Sequence, residues 1–230
     1  MQHNLDRLKL LIGEENVSLL KSKHILVIGV GGVGGYVVES LVRSGIGTIT
    51  IIDNDIVDET NLNRQLIALK STIGQKKVEV LKRRIKDINN ECIVEAYAEF
   101  LDENNIANYI KSDIDYVIDA CDTVNTKKAI IKECLAKNIK FISSMGTAKK
   151  LDPSKLEIVD VRKTYNDPLA RIIRKFVRDE KINKKVMVLS SRELPIKTDG
   201  LGSSAFVPGS AGLLISSYVI RDLIKKQKKA

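Results

Sequence analysis

The run Gly29-Val30-Gly31-Gly32-Val33-Gly34 follows the short apolar stretch Ile25–Ile28 and precedes a helix-like segment from Tyr36. A strand, a glycine turn and a helix in that order commit the chain to an α/β fold. Ile25–Ile28 has the length and composition of a buried parallel strand. Gly29 permits a tight turn, Gly31 lets backbone N–H groups approach a ligand, and Gly34 lets the following helix pack closely. The N-terminus of that helix is an anion site. Thr48–Ile52 reads as the second strand and Asp53 ends it. An acidic residue about 20 positions past the last glycine is placed to take ribose hydroxyls. Gly29, Gly31, Gly32, Gly34, Asp53 and Asp55 are therefore the candidate nucleotide contacts.

The nucleotide itself is decided further along. Arg64 follows in the next loop, and Lys77 opens the next helix. Arg offers a planar fork and Lys a point charge, and both suit phosphate oxygens. Asp122 stands at the end of the apolar strand Tyr116–Asp119. The carboxyl ends of strands form the ligand crevice of open α/β sheets, so a carboxylate there faces phosphates through a cation, usually Mg²⁺. Taken together these groups suit ATP and Mg²⁺ better than NAD.

The motifs Gly29–Gly34, Asp53, Asn61–Gln65, Gly74–Lys77 and Asp119–Asp122 resemble those of the ubiquitin-activating-enzyme-like adenylating superfamily. Within it the chain is most similar to the tRNA threonylcarbamoyladenosine dehydratases. That narrower resemblance rests on Arg7–Gly13, Ser44–Gly47, Asn63–Gln65, Ser144–Gly146, Lys150–Pro153, Asp167–Arg171 and Phe206–Gly212. It departs at Ala148-Lys149, where relatives more often carry Gly and Asn. The resemblance implies one ThiF-type adenylating domain over 1–230. Residues 1–145 would form the nucleotide-binding part and 146–230 a C-terminal lobe facing the tRNA. Asp53 would hold the ribose, and Arg64 and Lys77 the triphosphate. Asp122 would hold Mg²⁺, with Asn61 and Gln65 supporting the loop. Arg7 would reach into the neighbouring subunit's site of a homodimer. A cysteine desulfurase of a sulfur relay is a further partner that the resemblance allows.

Composition narrows the class. With 43% hydrophobic and 29% charged residues, the 230-residue chain reads as globular. Met1–Arg7 has no apolar core for a signal peptide, and no apolar run suggests a membrane span. Three scattered cysteines, Cys92, Cys121 and Cys134, fit a reducing cytoplasm and not a disulfide framework. No Cys-x-x-Cys pair is present, so the structural zinc of some sulfur-carrier activators is not expected. Cys121 reads as a small strand-end residue, and His3 and His24 as structural or exposed. The net charge of +9 favours a polyanionic partner.

The expected order up to Ser144 is strand, helix, strand, long loop, helix, strand, helix, strand, helix, strand. Ile93–Ala98 is its third strand and Lys140–Ser143 its fifth, and Val78, Leu81, Ile85 and Ile88 mark one helix face. The fold class is a Rossmann-like, doubly wound, mainly parallel sheet with helices on both faces, plus the C-terminal lobe. In that lobe Leu169, Ile172, Ile173 and Phe176 form an apolar helical face. Arg171, Arg174, Lys175 and Arg178 form a basic stripe suited to tRNA phosphates, with Lys181, Lys184 and Lys185 beyond. Ser190–Pro208 reads as a polar loop or lid hinged at Gly200 and Gly202, a final helix as roughly 210–226, and Lys225–Lys229 as a solvating tail.

The function expected is ATP-dependent cyclisation of threonylcarbamoyladenosine in tRNA through an acyl-adenylate. The alternatives are adenylation of a ubiquitin-like sulfur carrier, an NAD-dependent oxidoreductase and a non-catalytic nucleotide-binding adaptor.

Overall fold

The computed structural model describes residues 4–225, so His3 and the tail from Lys226 lie outside the described residues. Two short helices, α1 (Asp6–Ile12) and α2 (Glu14–Lys21), lead into β1 (His24–Ile28). Then follow α3 (Gly34–Arg43), β2 (Thr48–Ile52), α4 (Lys77–Ile88), β3 (Ile93–Tyr97), β4 (Tyr116–Asp119), α5 (Val124–Ala136) and β5 (Lys140–Ser144). The chain closes with β6 (Leu156–Asp160), α6 (Pro168–Asp179), β7 (Met187–Ser191) and α7 (Phe206–Ile224).

The seven strands form one sheet in the order β3-β2-β1-β4-β5-β7-β6. Every neighbouring pair is parallel except β6 with β7. The alternation of strand side chains divides the core in two. Ile25 and Val27 of β1 face a cluster that includes Leu20, Leu41, Leu81 and Ile215, from α2, α3, α4 and α7. Leu26 and Ile28 face the other cluster, with Ile130 and Ile131 of α5 and Ile173 and Val177 of α6. Helices thus cover both faces, as the doubly wound reading requires. The order reverses at β1, with β2 on one side and β4 on the other, and a crevice opens there at the strands' carboxyl ends.

The glycine turn works by close approach. Gly29 has φ +84°, and a Cβ there would stand 2.7 Å from the Cys121 nitrogen. A Cβ on Gly34 would stand 1.8 Å from the Gly29 oxygen. α3 therefore reaches the end of β1 only because both positions lack side chains.

Four local expectations are corrected. No α-helix joins β3 to β4; that connection holds only the 3₁₀ turn Ile106–Asn108. Its side chains bond locally: Asn105 accepts from the Asp102 N–H at 2.9 Å, and Asp102 from the Asn104 N–H at 2.8 Å. Such bonds compete with a helix. Ser190 and Ser191 are not loop residues, since they pair with Glu157 and Leu156 across β7 and β6. α7 starts at Phe206 and not at 210, with Pro208 in its first turn, where a missing N–H costs nothing. Finally, the buried face of α6 is Ala170, Ile173, Phe176 and Val177, and Ile172 is left 41% exposed.

Candidate active site

The crevice at the strand ends is a cavity of about 730 Å³, and the glycine turn forms one wall. That volume is ordinary for a small-molecule site. Gly29, Gly31, Gly32, Asp53, Asp55, Asn61, Arg64, Gln65, Lys77 and Asp122 all line it. Gly34 does not; it opens α3 directly behind the turn. Arg7 does not line its own chain's cavity either, and stands exposed on α1.

Asp53, Lys77 and Arg64 are each held by their neighbours. The Asp53 carboxylate accepts the Val30 N–H at 2.8 Å and the Asp55 N–H at 2.9 Å. It therefore ties the end of β2 to the glycine turn. Lys77 begins α4 almost wholly buried, and its Nζ donates to Asp55 Oδ2 at 2.7 Å. Asp55 is thus the tether of Lys77, with its own carboxylate largely exposed. Arg64 Nη1 donates to the Thr60 oxygen at 2.7 Å and to Asn63 Oδ1 at 3.0 Å, which leaves the rest of the fork facing the cavity. Asn61 Oδ1 accepts the Asp58 N–H at 3.1 Å and closes the 3₁₀ turn before Arg64. Gln65 is buried, yet its Oε1 has no partner. An orphaned buried amide oxygen costs free energy unless a ligand reaches it.

Asp122 is exposed into the cavity and makes no hydrogen bond or ion pair among the described residues. It lies three residues past β4. Asp119, the true strand end, is fully buried and paired with Lys127 of α5, Nζ to Oδ2 at 3.0 Å. Lys127 also donates to Ser143 Oγ at 3.3 Å and to the Ser144 oxygen at 2.8 Å. The network ties β4, α5 and β5 together beneath the site. Cys121 Sγ points at Asp119 Oδ1, 3.0 Å away. Burial, and then the nearby Asp119 carboxylate, push its thiol well above the usual range, so it is no thiolate nucleophile.

The far wall comes from the C-terminal part: Ser144–Ala148, Leu169, Leu201, Ser203 and Pro208. Lys150, itself buried, fixes this wall. Its Nζ donates to the Gly146 oxygen at 2.7 Å and to Asp167 Oδ2 at 3.1 Å, while Asp167 Oδ1 caps α6 at the Ala170 N–H. The loop after β7 is stitched across the opening. Ser203 accepts from Asn63 Nδ2 at 3.0 Å, and Gly202 from the Lys149 N–H at 2.8 Å.

A model of the ThiF family matches residues 3–228. The chain belongs to the ThiF family. It is 44% identical to the tRNA threonylcarbamoyladenosine dehydratase of Bacillus subtilis, over 98% of this chain and 96% of that protein. It is 37% identical to the Haemophilus influenzae protein of the same name, over 93% and 90% respectively. Among solved structures it superimposes on the Escherichia coli tRNA N6-threonylcarbamoyladenosine dehydratase in complex with ATP. The TM-score is 0.92 at 34% identity, covering 96% of this chain and 94% of that one. A second crystal structure of that enzyme holds AMP, with a TM-score of 0.90.

For a ThiF-family chain, sequence reasoning found the residues lining one half of the cavity but missed the buried pairings of Lys127 and Lys150. Each sits among helix or loop residues whose spacing reads as an exposed charge. The legible hint was the helix starting after Asp122, whose first turn faces the end of β4. Among the described residues no helix is long and apolar enough to cross a membrane.

Proposed function

We propose that this protein uses ATP to dehydrate N6-threonylcarbamoyladenosine in tRNA to its cyclic form. The observation that carries the reading is the single cavity in which Asp53, Arg64, Lys77 and Asp122 converge on the glycine turn. The similarity to the dehydratases across the whole chain supports it.

The chemical difficulty is that a carboxylate is a poor electrophile. The threonyl carboxylate oxygen attacks the α-phosphorus of ATP, and pyrophosphate leaves. An atom of the same side chain then attacks the acyl carbon, AMP leaves, and the ring closes. ATP becomes AMP and pyrophosphate, and the nucleoside loses one water. No side-chain nucleophile is required. In-line attack needs neutralised phosphates in fixed positions. Arg64 and Lys77 supply fixed cations, and the glycine turn with the α3 N-terminus supplies backbone donors. Asp53 orients the nucleotide through the ribose, and the orphaned Gln65 oxygen offers an acceptor beside Gly31.

Asp122 fits a divalent cation because it is an unpaired carboxylate facing the cavity. Among the described residues no cluster of three His, Cys, Asp or Glu forms a self-sufficient metal site. Mg²⁺ is usually held by one or two carboxylates together with phosphates and water, and Asp122 would be one such carboxylate. Bound there it would neutralise charge on the phosphate oxygens. Arg7 would complete the site from a second copy, making the working enzyme a two-fold dimer. A tRNA substrate also sets the cytoplasm as the place of action.

The test is direct. Purified protein, ATP and tRNA carrying threonylcarbamoyladenosine are incubated, and the tRNA is digested for nucleoside mass spectrometry. The expected product is lighter by one water, with one AMP and one pyrophosphate per ring. Unchanged nucleoside, or pyrophosphate exchange started only by a ubiquitin-like carrier protein, would overturn the assignment.

A further inference from the structure

Helix α6 joins two cavities. Its first turn carries Leu169, which lines the nucleotide cavity. Its later turns carry Arg171, Arg174, Lys175 and Arg178, which with Arg162 and Lys181 line a second, open concavity of about 950 Å³. No acidic residue lines it. The apolar face of α6 is sunk in the core, so the basic side stands on a rigid support.

These six cations are not equivalent. Arg162 pairs with Asp160 at 2.8 Å and donates to the Ile182 and Lys184 carbonyls. Arg174 Nη1 donates to the Thr164 oxygen at 2.7 Å and to its Oγ1 at 2.6 Å. Arg178 Nε meets Asp179 Oδ1 at 3.3 Å. The side chains of Arg171, Lys175 and Lys181 have no hydrogen-bond or ion-pair partner among the described residues. They form an uncompensated row beginning within a turn of Leu169. From Arg171 to Arg178 the helix advances about 10 Å.

We infer that this concavity receives the phosphate backbone of the tRNA, with Arg171, Lys175 and Lys181 as the phosphate contacts. Arg162 and Arg174 form its fixed floor, and the modified nucleoside enters the nucleotide cavity past Leu169. The inference rests on the tRNA reading above and adds the surface and the direction of approach. An anionic membrane would offer phosphates too, but a membrane-lying helix needs an exposed apolar face. Here that face is buried and, of the large apolar side chains of α6, Ile172 alone is exposed.

Filter binding of tRNA across a series of KCl concentrations tests this. Four forms are compared: wild type, the triple variant Arg171→Gln/Lys175→Gln/Lys181→Gln, the control Lys70→Gln/Lys82→Gln/Lys111→Gln, and a charge-keeping variant. The control loses the same charge from elements other than α6. The slope of log affinity against log salt should flatten by about three in the groove variant, about one per contact, and by less than one in the control. The charge-keeping variant Arg171→Lys/Lys175→Arg/Lys181→Arg should retain the wild-type slope. ATP affinity by calorimetry should be the same in all four. Equal slopes in groove variant and control would overturn the surface assignment, even if wild type cyclises its substrate. So would groove-dependent binding to phosphatidylserine vesicles without tRNA binding. Failure of wild type to cyclise modified tRNA is a separate result that removes the functional reading itself.

Discussion

Lys127 and Asp119 face each other with no exposed side-chain surface on either, the ammonium 3.1 and 3.0 Å from the two carboxylate oxygens. The pair lies at the ends of the neighbouring strands β4 and β5, whose ends and continuations bring Asp122 and Ser144 to the cavity lining. Removing one partner of a buried pair strands the other charge, which costs about 3–5 kcal/mol, whereas removing both can be nearly neutral. Lys127→Met should therefore destabilise by that amount. The double variant Lys127→Met/Asp119→Asn should recover much of the loss. Urea unfolding measures both. Costs that simply add would show that the pair is uncoupled.

The nucleotide site makes a second prediction. Asp53 holds two backbone N–H groups and would hold the ribose as well. Asp53→Ala should weaken ATP binding by about ten- to a hundredfold, the equivalent of a lost charged hydrogen bond or two. Wild type should prefer ATP to NAD by a wide margin, because Arg64 and Lys77 add phosphate-binding charge. Calorimetry showing tight NAD binding and none of ATP would reverse the choice of nucleotide.

These contrasts show what the sequence made legible. The close approach at Gly29 and Gly34 and the place of Asp53 at the cavity could be read because they follow from local geometry and a short spacing. Lys77 could be read too, since it opens a helix at the next strand end. Lys127 could not, because its partner lies on another element and a lysine in a helix ordinarily faces water. Ile172 shares the spacing of the apolar stripe Leu169, Ile173 and Phe176, but the stripe buried by Ala170, Ile173 and Val177 lies one position round. A one-residue rotation is invisible until the neighbouring α5 is in place. The helix expected between β3 and β4 failed for the opposite reason, since the decisive bonds of Asp102 and Asn105 are entirely local.

A third prediction concerns acid stability. Glu39 of α3 accepts from Arg84 Nε at 2.8 Å and from Arg43 Nε at 2.8 Å. Burial raises its carboxyl, but the two guanidinium groups outweigh it and hold the group below its ordinary value of 4.5. A carboxylate lowered in the folded state adds stability above its unfolded pKa. That stability is lost as pH falls through the folded value. Glu39→Gln should cost on the order of 1 kcal/mol or less at neutral pH, since the pair is partly solvated. The difference from wild type should close as the pH drops below 4.5. Urea midpoints that stay equally far apart in acid would show that the carboxylate charge is not the source.

The last prediction addresses assembly. Arg7 is exposed and does not line its own chain's cavity, and its helix also presents Leu10 and Leu11, 89% and 80% exposed. If Arg7 completes the site of a second copy, each cavity is built from two chains. Arg7→Ala and Asp122→Ala should then each abolish cyclisation, because each removes one half of every site. Mixing the two variants and allowing subunits to exchange should restore activity. In the mixed dimer one cavity lacks both groups and the other has both. With random exchange half of the dimers are mixed and each holds one intact site, so recovery should approach about a quarter of the wild-type rate. Light scattering should report a dimer at the working concentration. An active monomer, or mixtures that stay as inactive as either variant while exchange is shown to occur, would place Arg7 outside the active site.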